Sequence, residues 1–382
     1  MTTADENPLS GVDLRALPKI SLHDHLDGGV RPSTIIELAE AVGVDVPVSD
    51  AEGLADWFYA QCNAGSLVEY LKTFDLTIAV MQTKEGLARV AREFVQDLAA
   101  DGVIYGEVRW APEQHLQRGL SLDEVVEAVQ EGIEQGIEDA AATGADIQIG
   151  QLVTAMRHAD RSLEIAELAV RHRDRGVVGF DIAGAEFGFP ASKHRAAFDY
   201  LAAQFFPVTV HAGEADGVES IRSAIFDGRT LRLGHGVRIA EDITVERERD
   251  DSMYATLGPV AEWVRDREIP LELSPQSNLQ TGAITAWGTE LGDHPFDLLY
   301  QLGFNVTVNV DNRTMSRTSL TKELELLAAA FDYDLADLEA FQLNAASAVF
   351  QPLEVREALA DRISDGFEEA FVDGLEDDDE DA

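Results

Sequence analysis

The sequence contains very little cysteine: Cys62 is the only one in 382 residues. A single thiol excludes an internal disulfide and any metal site built from several thiolates. Cys62 itself is best interpreted as a small buried apolar residue. The N-terminus also lacks a basic segment followed by an apolar run, so no secretory signal is visible and we expect a cytoplasmic protein.

Long apolar runs and flexible linkers are missing as well. No stretch is long and apolar enough to cross a bilayer. No segment rich in glycine, serine or proline divides the chain, so residues 1–366 are predicted to form one unit. Residues 367–382 are predicted to be a disordered tail, because the acidic run at 376–381 repels itself.

Positive charge is scarce. Lys and Arg number 29 against 71 Asp and Glu, which gives a formal net charge of −42. A field of this sign disfavours nucleic acid and anionic membranes as partners, whereas a neutral small molecule is unaffected. General solubility and adaptation to a salty cytoplasm both explain the acidity. The sequence does not decide between them, and it leaves the formation of a homo-oligomer open.

Eight short apolar runs recur along the chain, most of them followed by a helical pattern. Several have Val, Ile or Leu at consecutive positions, which is typical of parallel strands covered on both faces. Eight alternating strand and helix units predict an α/β fold, a closed (β/α)8 barrel of the TIM type. The runs are KISLHDH, GVIYGEVRW, DIQIGQLVTAM, GVVGFDIAG, FPVTVHAGE, LRLGHG, PLELSPQSN and NVTVNVDN.

One segment exceeds the simple alternation. Residues 50–100 read as several helices between the first and second runs. A helical insertion at this point would lie over the carboxyl ends of the strands, where the active sites of barrels are found. We therefore expect a lid over a substrate site, with additional scaffold as the alternative.

Histidines fall at the ends of the predicted strands. The first run ends in His23-Asp24-His25. Residues two apart on a strand point to the same side, so both imidazoles face one place and Asp24 faces away. The carboxyl ends of barrel strands converge at one mouth, so the polar residues that end later strands should join them there. Those residues are His211, Glu214, His235, Asp311 and Asn312.

Imidazoles together with the carboxylate of Asp311 form a nitrogen-and-oxygen ligand set suited to Zn²⁺. The other histidines, at 115, 158, 172, 194 and 294, lack this placement and are predicted to be ordinary surface or core residues. A pair of metals bridged by a modified lysine would need a lysine at the end of a middle strand. The nearest one after the fourth run is Lys193, several residues further on, so we expect one zinc ion per chain.

Six motifs, in order and spacing, resemble those of the adenosine deaminase family of barrel metallohydrolases, in the amidohydrolase superfamily. The resemblance runs from about Ile20 to Asn312, and FQLNAASAVF at 341–350 is similar to the helix that follows the last strand of the family. It implies zinc-dependent hydrolytic deamination of adenosine and deoxyadenosine, in purine salvage. The motifs are SLHDHLDGG, DIAGAE, HAGE, LGHG, SPQSN and the VDN at 310–312.

The resemblance also implies roles for individual residues. His23, His25, His211 and Asp311 look like the zinc ligands. His235 resembles the histidine that helps orient and deprotonate the attacking water, and Glu214 resembles the acid that protonates the purine ring. The residues that resemble the substrate-binding positions are Asp27 for the ribose hydroxyl, Gly184 for the purine edge, and Asn312.

Chemistry supports these roles independently. Attack on the amino-bearing carbon breaks the aromaticity of the ring, and protonation of the adjacent nitrogen offsets much of that cost. Glu214 would need a raised pKa to act as this acid, which burial against substrate would provide. The chain departs from the family in having Asn312 where a second aspartate is usual, and Ser274 where a cysteine is expected. An amide still donates or accepts a hydrogen bond at the ring.

Several alternatives remain. Within the class they are deaminases of free adenine, of AMP and of modified adenosines. Asp27 argues against adenine, since the similar adenine enzymes tend to have Glu at this position, and the acidic chain argues against a phosphate. A binding or signalling protein that has lost catalysis would be expected to lack a ligand, Glu214 or His235, and all are present. A cytidine-type deaminase needs a pair of cysteines, which this chain lacks.

Overall fold

The computed structural model describes the backbone of residue 9 and of residues 11–247 and 253–380, with side chains towards the C-terminus described as far as residue 372. Each of the eight predicted runs contains a strand, and most residues of these eight strands are buried. The strands within the described residues are β1 (Lys19–His25), β2 (Val103–Trp110), β3 (Gln148–Met156), β4 (Val177–Ala183), β5 (Thr209–Ala212), β6 (Arg232–His235), β7 (Ile243–Arg247), β8 (Met253–Leu257), β9 (Leu271–Leu273) and β10 (Val306–Val308).

The eight predicted strands form two parallel sheets, in the orders β1-β2-β3-β4 and β5-β6-β9-β10. Isolated parallel bridges join the sheets at both seams, Phe180 with Val208 and Asp24 with Asp311. At the second seam the His25 N–H donates to the carbonyl of Asp311 over 2.8 Å. The strands therefore follow one another in the order of a (β/α)8 barrel, and the predicted fold class is confirmed.

Helices surround the strands. Those within the described residues are α1 (Pro32–Val42), α2 (Ala51–Cys62), α3 (Leu67–Leu71), α4 (Phe74–Val80), α5 (Lys84–Ala100), α6 (Leu122–Ala142), α7 (Ser162–Arg171), α8 (Arg195–Ala203), α9 (Val218–Phe226), α10 (Pro259–Asp266), α11 (Pro275–Gln280), α12 (Phe296–Gln301), α13 (Arg313–Ser316), α14 (Leu320–Phe331), α15 (Leu335–Ala348) and α16 (Leu353–Glu380). Short 3-10 helices lie at Pro112–His115, Ala191–His194, Val237–Asp242 and Leu291–Asp293.

Local sequence explains the long outer helices. Thr83 caps α5 by accepting a hydrogen bond from the Gly86 N–H. Ser121 and Glu124 form a capping box at the start of α6, which satisfies two backbone donors that the helix leaves free. The two helices pack closely because Gly132 has no side chain: a Cβ there would lie 2.1 Å from the carbonyl oxygen of Ala88.

The segment predicted as a lid, residues 50–100, contains α2, α3, α4 and α5. α5 packs against α6 in the outer ring of the barrel. α3 and α4 contribute residues to the wall of a cavity at the mouth, described below. The predicted helices are thus present, and their action as a lid stays a prediction.

Other sequence expectations concern the surface and the termini. The antiparallel hairpin of β7 and β8 was not predicted; Met253 and Tyr254 on it are exposed. Cys62 is fully buried, as predicted. α16 extends into the predicted tail, whose last two residues lie outside the described part, and disorder of the tail stays a prediction. No helix among the described residues has the length and apolar character needed to cross a membrane.

Candidate active site

Side chains from β1, β5, β6 and the end of β10 meet at the mouth of the barrel. His25 Nε2 lies 3.2 Å from His211 Nε2 and 3.3 Å from Asp311 Oδ1. His23 Nε2 lies 3.3 Å from the same carboxylate oxygen. Together with a ring nitrogen of His235, the ligand atoms of His23, His211 and Asp311 all lie within 4.8 Å of one another. The structure therefore brings together five of the seven residues predicted to meet at the strand ends, namely the four histidines and Asp311.

The spacing and charge of this cluster suit a metal ion. Bonds of about 2.0–2.1 Å in a tetrahedral arrangement put neighbouring ligand atoms roughly 3.3 Å apart, close to the separations above. Burial lowers the pKa of His25, His211 and His235 well below the ordinary histidine value. These imidazoles are therefore neutral and have a lone pair to share. Burial opposes ionisation of Asp311, but its contacts with the histidines hold its pKa well below the usual range.

Two buried carboxylates orient the histidines from behind. Glu272 Oε2 lies 3.0 Å from His23 Nδ1, and Asp181 Oδ2 lies 2.9 Å from His211 Nδ1. Arg109 donates to both carboxylates, over 2.7 Å to Glu272 and 3.1 Å to Asp181. Such partners fix which ring nitrogen faces a metal and make that nitrogen a stronger metal ligand.

These three residues have no predicted role. A signal was present, because Glu272, Arg109 and Asp181 each interrupt an apolar strand that should be buried on both faces. A charge at such a position requires a partner of opposite sign. Which groups are paired depends on strand register around the barrel, and the sequence does not show this.

The backbone at the mouth adopts unusual conformations. His235 has φ 63° and Asp311 has φ 57°, in the left-handed region that non-glycine residues rarely adopt. These conformations turn the two side chains off the ends of their strands into the cluster. The surrounding fold must offset a strain of about 1–3 kcal/mol at each residue.

Glu214 follows β5 in a loop held by another carboxylate, Glu186. Glu186 accepts hydrogen bonds from the backbone N–H groups of Gly213 over 2.6 Å, Glu214 over 3.1 Å and Ala215 over 2.6 Å. It also accepts one from the hydroxyl of Ser220 over 2.5 Å. These bonds leave the Glu214 side chain free to face the cluster. Its Oε2 lies 3.5 Å from Nε2 of His235. Burial, reinforced by nearby carboxylates, raises the pKa of Glu214 well above its ordinary value.

The cluster opens into a cavity of about 430 Å³. Asp27, Gly184 and Asn312, the residues predicted to bind substrate, all line it. The Oδ1 atom of Asp27 and the Oε1 atom of Glu214 are buried and have no hydrogen-bond partner among the described residues. Burial raises the pKa of Asp27 to about 7. The cavity therefore has polar atoms that a ligand can satisfy.

Most of the histidines predicted to be ordinary residues, and Lys193, lie outside the candidate site. Nδ1 of His115 contacts the carbonyl of Met81, and His172 pairs with Asp123. Lys193 Nζ donates to a backbone carbonyl and does not line the cavity. His158 differs, because it is exposed and lines the cavity.

Comparisons with known proteins agree with this geometry. The sequence model of the family described as Adenosine deaminase matches residues 18–366. Adenosine deaminase 1 of Streptomyces coelicolor is 52% identical over 358 residues, which is 93% of this chain and 88% of that protein.

Solved structures give a similar result. An N6-mAMP deaminase of arabidopsis aligns with a TM-score of 0.75 and 28% identity, covering 92% of this chain and 99% of that one. An amidohydrolase from Burkholderia ambifaria with bound Zn aligns with a TM-score of 0.79 and covers 96% of each chain. Its 23% identity supports the fold alone.

Proposed function

The chain belongs to the adenosine deaminase family, and from this membership we propose that it hydrolyses adenosine and deoxyadenosine to the corresponding inosines and ammonia. The observation that carries the proposal is the placement of Glu214. It is a buried carboxyl group with a raised pKa, its Oε2 lies 3.5 Å from Nε2 of His235 in the histidine cluster, and it lines the cavity. This arrangement pairs a proton donor with a metal-ligand cluster, as ring deamination requires.

The ligands we propose for one zinc ion are His23, His25, His211 and Asp311. Their separations and the neutral imidazoles of His25 and His211 fit a small divalent cation, and the family is one of metalloenzymes. A bound zinc ion lowers the pKa of water from 15.7 to about 7 and so supplies a strong nucleophile at neutral pH. Asp181 and Glu272 hold two of the histidines with Nε2 towards this ion.

Glu214 is proposed to give its proton to the purine nitrogen beside the amino-bearing carbon. Its Oε1 has no hydrogen-bond partner in the described part of the chain, so this atom is available to the ring. His235 lies 3.5 Å from Glu214 and is proposed to hold the attacking water between the cluster and the ring. Gly184 and Asn312 line the cavity and are proposed to contact the purine edge.

The charge of the cavity favours a nucleoside over a nucleotide. Asp27, Asp75, Glu214 and Asp311 line it, while the one lysine among its lining residues, Lys72, is paired with Glu69. A phosphate would find no arginine and no unpaired lysine among these lining residues, whereas a neutral nucleoside needs none. Asp27 is proposed to accept a hydrogen bond from a ribose hydroxyl.

We infer that the helices α2 to α4 close over this site. α3 and α4 form an apolar wall of the cavity, with Val68 exposed at its edge. Arg317, after α13, pairs with Glu52 on α2 over 2.6 Å, which links the segment to the loop that follows β10. We also propose a cytoplasmic location, in line with a single buried cysteine that forms no disulfide.

The test is the ultraviolet spectrum of adenosine over time with purified protein, run in parallel with adenine and AMP. We expect conversion to inosine, loss of activity on chelation and recovery with zinc. If adenine or AMP is converted and adenosine is not, the proposed substrate is wrong but the proposed type of reaction stands. No turnover of any aminopurine by zinc-loaded protein would contradict the proposal.

Metal analysis of two histidine variants tests the ligand set. His211→Gln should lose zinc, whereas His172→Gln, which changes a buried histidine that pairs with Asp123 outside the site, should retain it. Equal zinc content in the two variants would remove His211 from the ligand set.

A further inference from the structure

His235 has one ring nitrogen facing the cavity and the other facing the protein. Nε2 lies 3.5 Å from Glu214 Oε2, whereas Nδ1 lies 3.1 Å from the amide nitrogen of Asn278. A neutral imidazole carries a single proton, and its position decides whether the nitrogen facing the reaction donates or accepts a hydrogen bond. The contacts behind His235 determine that position.

The determining contact is a backbone amide. The Phe296 N–H donates to Nδ1 of His294 over 3.0 Å. An N–H group cannot accept a hydrogen bond, so Nδ1 of His294 carries no proton. His294 must then carry its proton on Nε2, and it is buried away from water, with 3% of its surface exposed.

The amide of Asn278 transmits this constraint. Nε2 of His294 lies 3.2 Å from Oδ1 of Asn278, where the imidazole donates and the amide oxygen accepts. The reverse orientation of the amide would place its NH₂ group against the N–H of His294. Asn278 is fully buried, so its amide cannot turn to water instead. Its oxygen therefore faces His294, and its NH₂ group faces Nδ1 of His235 and donates to it.

We propose that Asn278 and His294 are positioning residues that hold His235 with its proton on Nε2, so that His235 presents a hydrogen-bond donor to the attacking water. The role in deamination rests on the proposed function, while the position of the proton does not. Neither residue touches the cavity; both act through His235.

This tautomer assigns the first proton transfer to another group. A nitrogen that already carries a proton cannot take one from water, so His235 orients the water by donating to its oxygen. The proton that the water loses goes to a carboxylate. Glu214 is suited to accept it once its own proton has passed to the purine ring. The family resemblance gives His235 a share in removing that proton, and the structure limits it to orientation.

The direct test is the long-range ¹H–¹⁵N correlation spectrum of the zinc-loaded protein labelled with ¹⁵N-histidine. His235 and His294, assigned through the variants His235→Gln and His294→Gln, should each show a protonated Nε2 and an unprotonated Nδ1. His115 is an internal reference of opposite type, because its Nδ1 faces the carbonyl oxygen of Met81 at 2.9 Å and must be protonated.

Kinetics of two variants provide the second test. Asn278→Asp keeps the size of the side chain but places only acceptors beside His235, which moves its proton to Nδ1. We expect kcat to fall about 10²- to 10⁴-fold with little change in KM. Asn278→Ala removes the constraint without reversing it and should lose less. A residue needed only for packing would show the opposite order. Asn305→Asp, at the opposite end of the barrel, is the matched control and should keep its activity.

A protonated Nδ1 on His235 would overturn the proposal. So would higher kcat in Asn278→Asp than in Asn278→Ala. If either variant fails to fold, the spectrum of the unaltered protein decides alone. Absence of turnover with a protonated Nε2 would reject the proposed function and leave the assignment of the proton intact.

Discussion

At the scale of single residues, the site combines groups whose positions the sequence predicted with groups that it did not. His23, His25 and His211 were identified because strand ends converge in a barrel, and the structure places their nitrogens together. Asp27 and Glu214 lie in the same cavity. Their roles stay predictions, and two substitutions test them.

Glu214→Gln should leave zinc bound and lower kcat by about 10²- to 10⁴-fold, because an amide of similar size cannot donate an acidic proton. The measurement is kcat for adenosine together with the zinc content of the purified variant. Glu219→Gln, an exposed glutamate on α9, is a matched control. Unchanged kcat in Glu214→Gln would remove this residue as the proton donor.

Asp27→Ala should weaken recognition of nucleosides selectively. A hydrogen bond to a charged group contributes about 1.5–3 kcal/mol, equivalent to about 10- to 150-fold in affinity. We expect KM for adenosine to rise by this factor while inhibition by free adenine stays unchanged, and Asp27→Asn should lose less. Parallel losses for adenosine and adenine would contradict ribose recognition by Asp27.

Residues that act behind the ligands were harder to predict. Asn278 belongs to a recognised motif, but its role depends on a contact with His294, 16 positions later in the chain. Sequence pattern indicated that His294 was an ordinary histidine, since it does not end a strand. Only the folded arrangement shows which side of an imidazole faces a donor.

At the scale of elements, α14 contains a buried acid that the sequence did not single out. Glu323 accepts a hydrogen bond from Thr318 over 2.6 Å and from the backbone of Gln276 over 3.2 Å. It therefore joins α14 to the first turn of α11. Burial raises the pKa of Glu323 to about 8, so the folded protein holds a proton that the unfolded chain releases near its ordinary value of 4.5.

Because the folded state binds the extra proton, this group makes the protein less stable as pH rises from about 4.5 to 8. The effect is at most about 1.4 kcal/mol per pH unit. Glu323→Gln should remove this component, so the free energy of unfolding should fall less steeply over that range than in the unaltered protein. Chemical denaturation at several pH values measures both slopes. Parallel slopes would show that Glu323 is ionised throughout.

The elements themselves were predicted to different extents. The eight parallel strands have strong apolar runs, because both of their faces are covered, and periodicity reveals them. The hairpin of β7 and β8 has exposed residues such as Met253 and Tyr254 and no clear alternation, so the pattern gives no signal. Its pairing is determined by its neighbours in the fold.

At the scale of the whole molecule, the dominant quantity is the net charge of −42. The composition alone determines this charge, and the structure shows which acids are neutralised. Inside the barrel, Arg109 and Arg232 form ion pairs with the buried carboxylates. Most remaining acids repel one another across the surface. Such repulsion destabilises the compact state and is reduced by salt.

The melting temperature should therefore rise between 0.1 M and 1 M KCl, as the Debye length falls from about 10 Å to about 3 Å. Sucrose at equal osmolality is the control, because it stabilises proteins without screening charge. Thermal unfolding monitored by circular dichroism gives both values. A melting temperature that sucrose raises as much as KCl does would show that self-repulsion is minor.

The left-handed conformations of His235 and Asp311 have a further consequence for anyone who evolves this protein in the laboratory. Glycine adopts such conformations without strain, so replacing either residue by glycine would release part of a stored cost of about 1–2 kcal/mol. A screen that rewards heat resistance alone would then favour variants that have lost a ligand or the water-orienting histidine. At these two positions a substitution that raises thermal stability lowers catalytic activity. A screen must therefore select for both properties to keep an active protein.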